Sequence, residues 1–539
     1  MANIYKPPCD EAVILTGPLS RTPPVRNVGT WVLVATILGS SMAFIDGSVV
    51  NVALPVLQRA FNATVGEVQW VMEAYSLFLA ALILVGGSLG DIFGRRRIFS
   101  LGVMLFALSS IWCGLSPSIL QLIIARSLQG IGGALLVPGS LAIISASFSP
   151  DKRGRAIGTW SGFTSITSAI GPVLGGWLVE HASWHWVFFI NVPLAIIVLA
   201  VLFWHVPESR DEESDRHVDW VGSLLVTIGL GALVYGLIQA GSSGFNSPVV
   251  LVPLLLGVIA LIGFVLYEAR SAHPMLPLNL FRSRTFSGAN LLTLFLYSAL
   301  SGALFFFPFN LIQVQGYSAT EAGSALLPFV ILMFSLSRWS GGLVKRYGAK
   351  LPLVVGPTIA AIGYLLFARP DLGGSYWTTF FPAAIFLGLG MTISVAPLTT
   401  TVMGSVSQSH AGVASGVNNA VSRAAGLLSI AVMGILLSSA FNSSLDSRLA
   451  SLHLSPALLD TINAQRVKLA GITLPGGISE QVRTTLTQAI KLSFVDGFRV
   501  VMFTSLCLAL LSALVAGLMI EGKRAAVDQV AELKESASL

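Results

Sequence analysis

Between residues 30 and 520, apolar stretches of about twenty residues follow one another with short polar breaks. That is the length a helix needs to cross a bilayer. In hydrocarbon every backbone N–H and C=O must be satisfied within the protein, so a spanning chain is helical or a closed barrel. These stretches are continuous rather than alternating, which selects helices. Only 10% of the 539 residues are charged, against roughly 25% in soluble domains. An ordinary soluble protein is excluded. Cys9, Cys113 and Cys507 are scattered and offer neither a disulfide framework nor a metal knuckle. The first 28 residues contain Pro7, Pro8, Pro18, Pro23 and Pro24, lack the apolar core of a signal peptide, and read as a cytosolic tail.

Fourteen spans are predicted, near 30–54, 67–89, 98–115, 118–146, 155–178, 187–206, 218–240, 249–268, 286–314, 321–343, 351–369, 376–403, 411–440 and 493–520. The net charge of +6 is a topology signal rather than a mark of nucleic-acid binding, because the cations sit in alternate loops. One set holds Arg95, Arg96 and Arg97, then Lys152, Arg153 and Arg155, then Arg210 and Arg216. It continues through Arg270, Arg282 and Arg284, then Lys345, Arg346 and Lys350, to Lys523 and Arg524. Both termini are therefore expected in the cytosol. The polar stretch 441–492 carries cations on the outer side, but long loops translocate largely regardless of charge.

Residues 87–96 read GSLGDIFGRR, and a degraded copy, GGLVKRYGAK, returns at 341–350. The copies follow the second and tenth spans, so equivalent spans differ by eight. Two six-span bundles separated by two extra spans satisfy that spacing, and seven plus seven does not. The expected order is a tail (1–29), a first bundle (30–206), a cytosolic linker (207–217) and two additional helices (218–270). A second linker (271–285), a second bundle (286–520) with outer loop 441–492, and a tail (521–539) follow. Such pseudo-symmetry in a membrane chain points to a transporter.

The first copy, with Gly87, Leu89, Asp91, Gly94, Arg95 and Arg96, resembles the conserved cytoplasmic-loop motif of the major facilitator superfamily. The match is closest to its fourteen-span drug:proton antiporters. IDGSVVNVALP supports it through Asp46, Asn51, Ala53 and Pro55. ARSLQGIGG (Arg126, Gln129), GPVLGG (Gly171, Pro172, Gly175, Gly176), WHWVFFINVP and AGVASGVNNAVSRAAG add to it. Departures are Ile92 where a basic residue is usual, Ser48 for Thr and His185 for Arg. The resemblance is strong over residues 40–200 and weaker beyond. It implies an all-α membrane protein of two six-helix bundles plus two helices, exporting compounds in exchange for protons by alternating access. It also implies that Arg126 takes part in proton coupling and that the glycine–proline string shapes a proton-tight interface. The loop motif would gate the moving halves, Asp91 pairing with a cation.

Few ionisable residues lie well inside spans. At about 1.5 Å per residue, Glu73, 18 residues before Asp91, sits roughly 27 Å above the cytosolic loop. Asp46, 16 residues after Thr30, is roughly 24 Å up, and Arg126 is at comparable or greater height. These three are the expected proton-coupling residues on one cavity wall. A cation arriving beside a buried carboxylate favours its charged form and expels a proton. A driving force of about 150 mV supplies roughly 3.5 kcal/mol per proton. Glu73, with Trp70 and Tyr75 as aromatic faces, is the expected cation contact, alongside Gln129, Asn418, Asn419 and Arg423. The bland alternative is a permanent Glu73–Arg126 structural pair.

No phosphate loop of GxxxxGK[ST] type is present, so direct ATP drive is not expected. No nucleophile–base pair or metal cluster suggests an enzyme, and no cofactor beyond the proton gradient is implied. Expected partners are a small-molecule substrate, protons, lipid and, in a two-membrane bacterium, a periplasmic adaptor touching 441–492. The expected location is a bacterial inner or plasma membrane. Rival readings are an uptake or metabolite carrier of the same fold and a non-transporting membrane sensor.

Overall fold

The computed structural model describes residues 28–210, 218–271, 274, 276–406, 411–452 and 454–522. The expected tails, Cys9, and most of the linker 207–217, with Arg216, lie outside these residues, as do Lys523 and Arg524. The described chain is helical. The first part comprises α1 (Val28–Ala60), α2 (Val65–Phe93), α3 (Arg95–Leu115), α4 (Ile119–Ser147), α5 (Pro150–His181), the short α6 (Trp186–Phe189) and α7 (Asn191–His205). Next come α8 (Trp220–Ser243) and α9 (Pro248–Glu268). The remainder is α10 (Arg284–Phe309), α11 (Ala319–Ser324), α12 (Leu327–Gly341), α13 (Leu343–Tyr347), α14 (Lys350–Phe367), α15 (Tyr376–Gly404), α16 (Ala411–Ala450), α17 (Pro456–Asn463) and α18 (Glu480–Met519). Among the described residues, twelve helices are long and apolar enough to cross a membrane, or thirteen if the bent pair Val65–Ile83 and Val85–Phe93 is one span. α5, 32 residues long, is more polar and falls outside that set.

The internal repeat has a physical signature. α2 begins with a capping box in which Thr64 Oγ1 accepts the Glu67 N–H (3.1 Å) and Glu67 Oε2 accepts the Thr64 N–H (2.8 Å). α11 begins with the same device at Ser318 and Glu321. The first loop copy collapses to a single break, Gly94 at φ 110 between α2 and α3. Its counterpart is Gly348 at φ 78 between α13 and α14. Thr64 to Ser318 and Gly94 to Gly348 are both spacings of 254 residues, as is the offset between the loop copies. Positive φ favours glycine, which is why these two survive where neighbouring residues have diverged.

α1 packs against α5, α7 and α4, and α4 packs against α2 and α3, which builds the first bundle. α10, α14, α16 and α18 pack together, with α12 and α14 on α15, in the second. Where α2 meets α4, a Cβ at Gly86 or Gly130 would overlap the backbone of Ala134 or Tyr75, so only glycine allows this approach. α8 lies on α9, α2 and α16. It therefore covers the seam between the bundles, while α9 turns Val252, Leu255, Ile259, Ile262 and Leu266 outward. The stretch 441–492 is more helical than its polarity suggested. α16 continues to Ala450, α17 and a 3-10 turn (Arg466–Gly471) follow, and α18 already starts at Glu480.

Candidate functional site

Arg126 on α4 and Asp46 on α1 are both fully buried and form an ion pair of 2.5 Å. An unpaired charge at this depth is very costly, and the surroundings are built to hold both. Asp46 Oδ2 accepts from Arg126 Nη1, and Oδ1 accepts from Gln129 Nε2 (2.8 Å) and Asn191 Nδ2 (3.2 Å). Arg126 also donates to Gln129 Oε1 (2.7 Å) and to the Val71 carbonyl of α2 (3.0 Å). Ser110 Oγ on α3 accepts from both Gln129 (2.7 Å) and Asn191 (3.2 Å). The Tyr75 ring lies under the guanidinium, 4.3 Å from Cζ. One charge pair thus fastens α1, α2, α3, α4 and α7 together. Among the described residues, Arg126 Nη2 and the Tyr75 hydroxyl are buried without a hydrogen-bond partner.

Glu73 is elsewhere. It is 1% exposed, and neither carboxylate oxygen has a hydrogen-bond partner among the described residues. It lies two positions before Tyr75, a rotation of about 200° on a helix, so it faces away from Arg126. On its own face, Leu77 and Trp70 pack with Leu230, Val234 and Ile238 of α8 and with Leu427 and Ala431 of α16. The expected single wall of Asp46, Glu73 and Arg126 is therefore two sites on opposite sides of α2, and Glu73 is not a structural pair of Arg126. Its two expected aromatic neighbours diverge as well. Tyr75 turns to Arg126, and Trp70 meets Tyr235 of α8 at 6.3 Å between ring centroids.

In the second bundle, Asn418 donates to Asn290 Oδ1 (3.2 Å) and Thr293 Oγ1 (2.6 Å) of α10. Asn419 is exposed and donates to the Ser415 carbonyl of its own helix (3.1 Å). Arg423 is half-buried on α16 and has no hydrogen bond or ion pair among the described residues.

Polar links between the bundles cluster at the Thr64 end. Gln313 donates to Gln58 Oε1 (2.8 Å), Gln69 to the Ile430 carbonyl (3.0 Å), and the Thr320 N–H to Glu180 Oε2 (3.1 Å). Gln58 in turn donates to the Lys468 carbonyl (3.1 Å), and Lys468 Nζ to Asn62 Oδ1 (2.6 Å). Leu469 beside it adopts φ 53 with its side chain 2% exposed. That backbone costs about 1–3 kcal/mol outside glycine, offset here by burying an isobutyl group between bundles. The glycine–proline string lies at this end too. Added Cβ atoms at Gly171 and Gly175 would strike Ser48 and Val49 of α1, and one at Gly176 would overlap the Ala319 carbonyl of α11. Reciprocally, one at Gly323 would overlap the Pro172 carbonyl.

At the Gly94 end, Asp91, Arg95 and Arg96 bond within the first bundle. Asp91 pairs with Arg95 (2.7 Å) in its own stretch, and Gly87 lies against Pro138 of α4. Arg96 donates from its N–H to Glu208 Oε1 (2.9 Å) and from Nη1 to the Val206 carbonyl (3.0 Å). Glu208, Asn191, Ser110, Gln58 and Leu469 were not singled out from the chain alone. Asn191 had a signal in WHWVFFINVP; Ser110 and Leu469, ordinary residues in an apolar and a polar stretch, had none.

Residues 36–430 match the family model of the Major Facilitator Superfamily. The tetracenomycin C resistance and export protein of Streptomyces glaucescens is 34% identical over 493 residues, covering 90% of each chain. The multidrug resistance protein Stp of Mycobacterium tuberculosis (strain CDC 1551 / Oshkosh) is 34% identical over 490 residues, covering 88% of each. Among solved structures, a bacterial homologue of the human lysosomal transporter Spinster, inward-facing and occupied, superimposes with TM-score 0.65 at 17% identity. It covers 92% of this chain and 97% of its own.

Proposed function

Because the chain belongs to the major facilitator superfamily, we propose that this multi-pass membrane protein exports small lipophilic or cationic compounds in exchange for protons. The observation that carries the reading is Glu73, a buried carboxylate with no hydrogen-bond partner among the described residues, across α2 from a buried Asp46–Arg126 pair that is fully satisfied at its carboxylate. A site that holds a lone carboxylate in apolar surroundings accepts a proton or a cation but not bare charge. Competition of those two for one residue is the elementary step of exchange. The names of the relatives, resistance and export proteins, favour the outward direction over uptake.

We read α2 as one bent span and α5 as another, which with the twelve brings the count to fourteen. The alternate-loop cations support a reading with both termini in the cytosol and the Thr64 end outside. Polar closure at the Thr64 end then describes a state open toward the cytosol. Opening outward must break the Gln58–Gln313 and Glu180–Thr320 links and withdraw Leu469.

Proteoliposomes with an imposed pH gradient test this. On adding lipophilic cations, lumenal pH is expected to move with substrate in the wild type and to stay still in Glu73→Gln. Substrate flux with no proton movement would replace antiport by facilitated diffusion. Binding with no flux of either species would make the protein a sensor.

A further inference from the structure

At the Thr64 end, a cavity of about 610 Å³ lies where α2, α8, α16 and the segment Asn463–Val467 meet. That is room for a drug-sized molecule. It belongs to the Glu73 side of α2. Trp70 and Ile238 border both this cavity and the apolar seam with Leu77, Leu230 and Leu427. Glu73 follows Trp70 by three residues, about one turn further into the seam. Trp70 and Tyr235 bring two rings to the wall, 6.3 Å apart between centroids, and Tyr235 is 38% exposed. The amide donors point elsewhere. Gln69 donates to the Ile430 carbonyl (3.0 Å) and Gln239 to the Tyr235 hydroxyl (3.4 Å). Asn442 Oδ1 on α16, by contrast, is a buried acceptor with no hydrogen-bond partner among the described residues. Folded proteins seldom leave such an atom unmet. Of the charges on the wall, Arg466 is paired with Asp446. Glu67 spends Oε2 on the Thr64 N–H (2.8 Å) and has no ion-pair partner among the described residues. The wall is therefore electron-rich, with two ring faces, an unmet amide oxygen and an unpaired carboxylate.

We propose that this cavity is a second binding site, on the outer side of the seam, for planar aromatic cations that carry an N–H. The ring system lies against Trp70 and Tyr235, which attract a cation through their faces. Its N–H donates to Asn442 Oδ1, and its charge faces Glu67, which also turns anions away. The outer position rests on the topology of the export reading above, whereas binding itself needs no transport. Trp70 separates the cavity from Glu73 by one turn, so a compound leaving Glu73 outward enters this chamber next. The same compound at high concentration outside fills the chamber and opposes export. α8 supplies Tyr235 and Gln239 to the wall, which gives an additional helix a part in recognition.

Ethidium, a planar aromatic cation with exocyclic amines, is the probe. The readout is modification of Ser438→Cys, a position on the cavity wall, in a background lacking the native cysteines. A membrane-impermeant thiol reagent is added outside right-side-out membrane vesicles. Ethidium at several times its Kd is expected to slow the modification at least about threefold. The protection should be the same when Glu73→Gln removes the inner carboxylate. Asn442→Leu should abolish it, and Asn442→Asp, which keeps an acceptor oxygen, should retain it. Protection that disappears with Glu73→Gln places the ligand at Glu73 and overturns the second site. Protection unchanged in Asn442→Leu, or lost in Asn442→Asp as well, overturns recognition by the Asn442 oxygen and with it the proposal. Modification and protection seen only from the cytosolic face would overturn the topology and the outer position, leaving a cytosolic site. Absence of ethidium-linked proton movement in wild-type proteoliposomes overturns antiport while protection at Ser438→Cys still upholds the site.

Discussion

Asp46→Asn is expected to abolish exchange and to lower thermal stability together, and Arg126→Gln is expected to do the same. The pair is buried at zero exposure and bonded at 2.5 Å. Removing one member leaves the other charge in low dielectric with its hydrogen-bonding groups partly unmet, a loss of about 3–5 kcal/mol. Asn at position 46 still accepts from Gln129 or Asn191 but cannot neutralise Arg126. The informative comparison is with the double variant Asp46→Asn/Arg126→Gln. With both charges gone, only neutral hydrogen bonds remain, and much of the lost stability should return, since a buried pair contributes little net once both members are replaced. Transport should not return. Thermal unfolding in detergent combined with the proteoliposome assay separates the two roles. A double variant as unstable as either single one would show that the guanidinium–Tyr75 stack and the Val71 bond, not the charge pair, hold α1 to α4.

The depth arithmetic that put Asp46 and Arg126 at similar height was sound for those two, because both are directly bonded. It could not place Glu73, since height along a helix says nothing about rotation around it. A helix with one apolar stripe reveals its inward face, but α2 is apolar nearly all round, as membrane helices are. The rotation that sends Tyr75 to Arg126 and Glu73 to α8 is set by tertiary packing, by Gly86 and Gly130 drawing α4 against one side. The same limit hid α8. It carries no charged residue between Trp220 and Ser243, so a helix that wedges along the seam reads like one that only meets lipid. Repeat structure was legible where backbone geometry demanded particular residues. Gly94 and Gly348 persist because of positive φ, and Thr64 and Ser318 because a helix start needs a cap.

Gly176→Val is expected to shift the balance between the two orientations without unfolding either bundle. A Cβ there meets the Ala319 carbonyl and the backbone at Thr320, and backbone in a packed helix cannot step aside as a flexible side chain can. The contact is between bundles, so the overlap penalises this closed Thr64 end and nothing inside α5's own bundle. Overpacking of this kind costs about 1–3 kcal/mol, equivalent to roughly a 5- to 150-fold change in the ratio of states. Gly171→Val makes the contrast. Its added Cβ strikes the Ser48 side chain on α1, within one bundle, and should lower thermal stability instead. Spin labels at Ala182→Cys and Thr378→Cys, exposed positions at the Thr64 ends of the two bundles, should therefore report a longer distance in Gly176→Val and an unchanged one in Gly171→Val. Melting curves should move in the opposite pattern. Since reclosing at the Thr64 end is penalised by that factor, exchange in Gly176→Val should fall correspondingly even though Glu73, Asp46 and Arg126 are intact. Normal exchange with a lengthened label distance would mean that sealing at this end does not limit turnover.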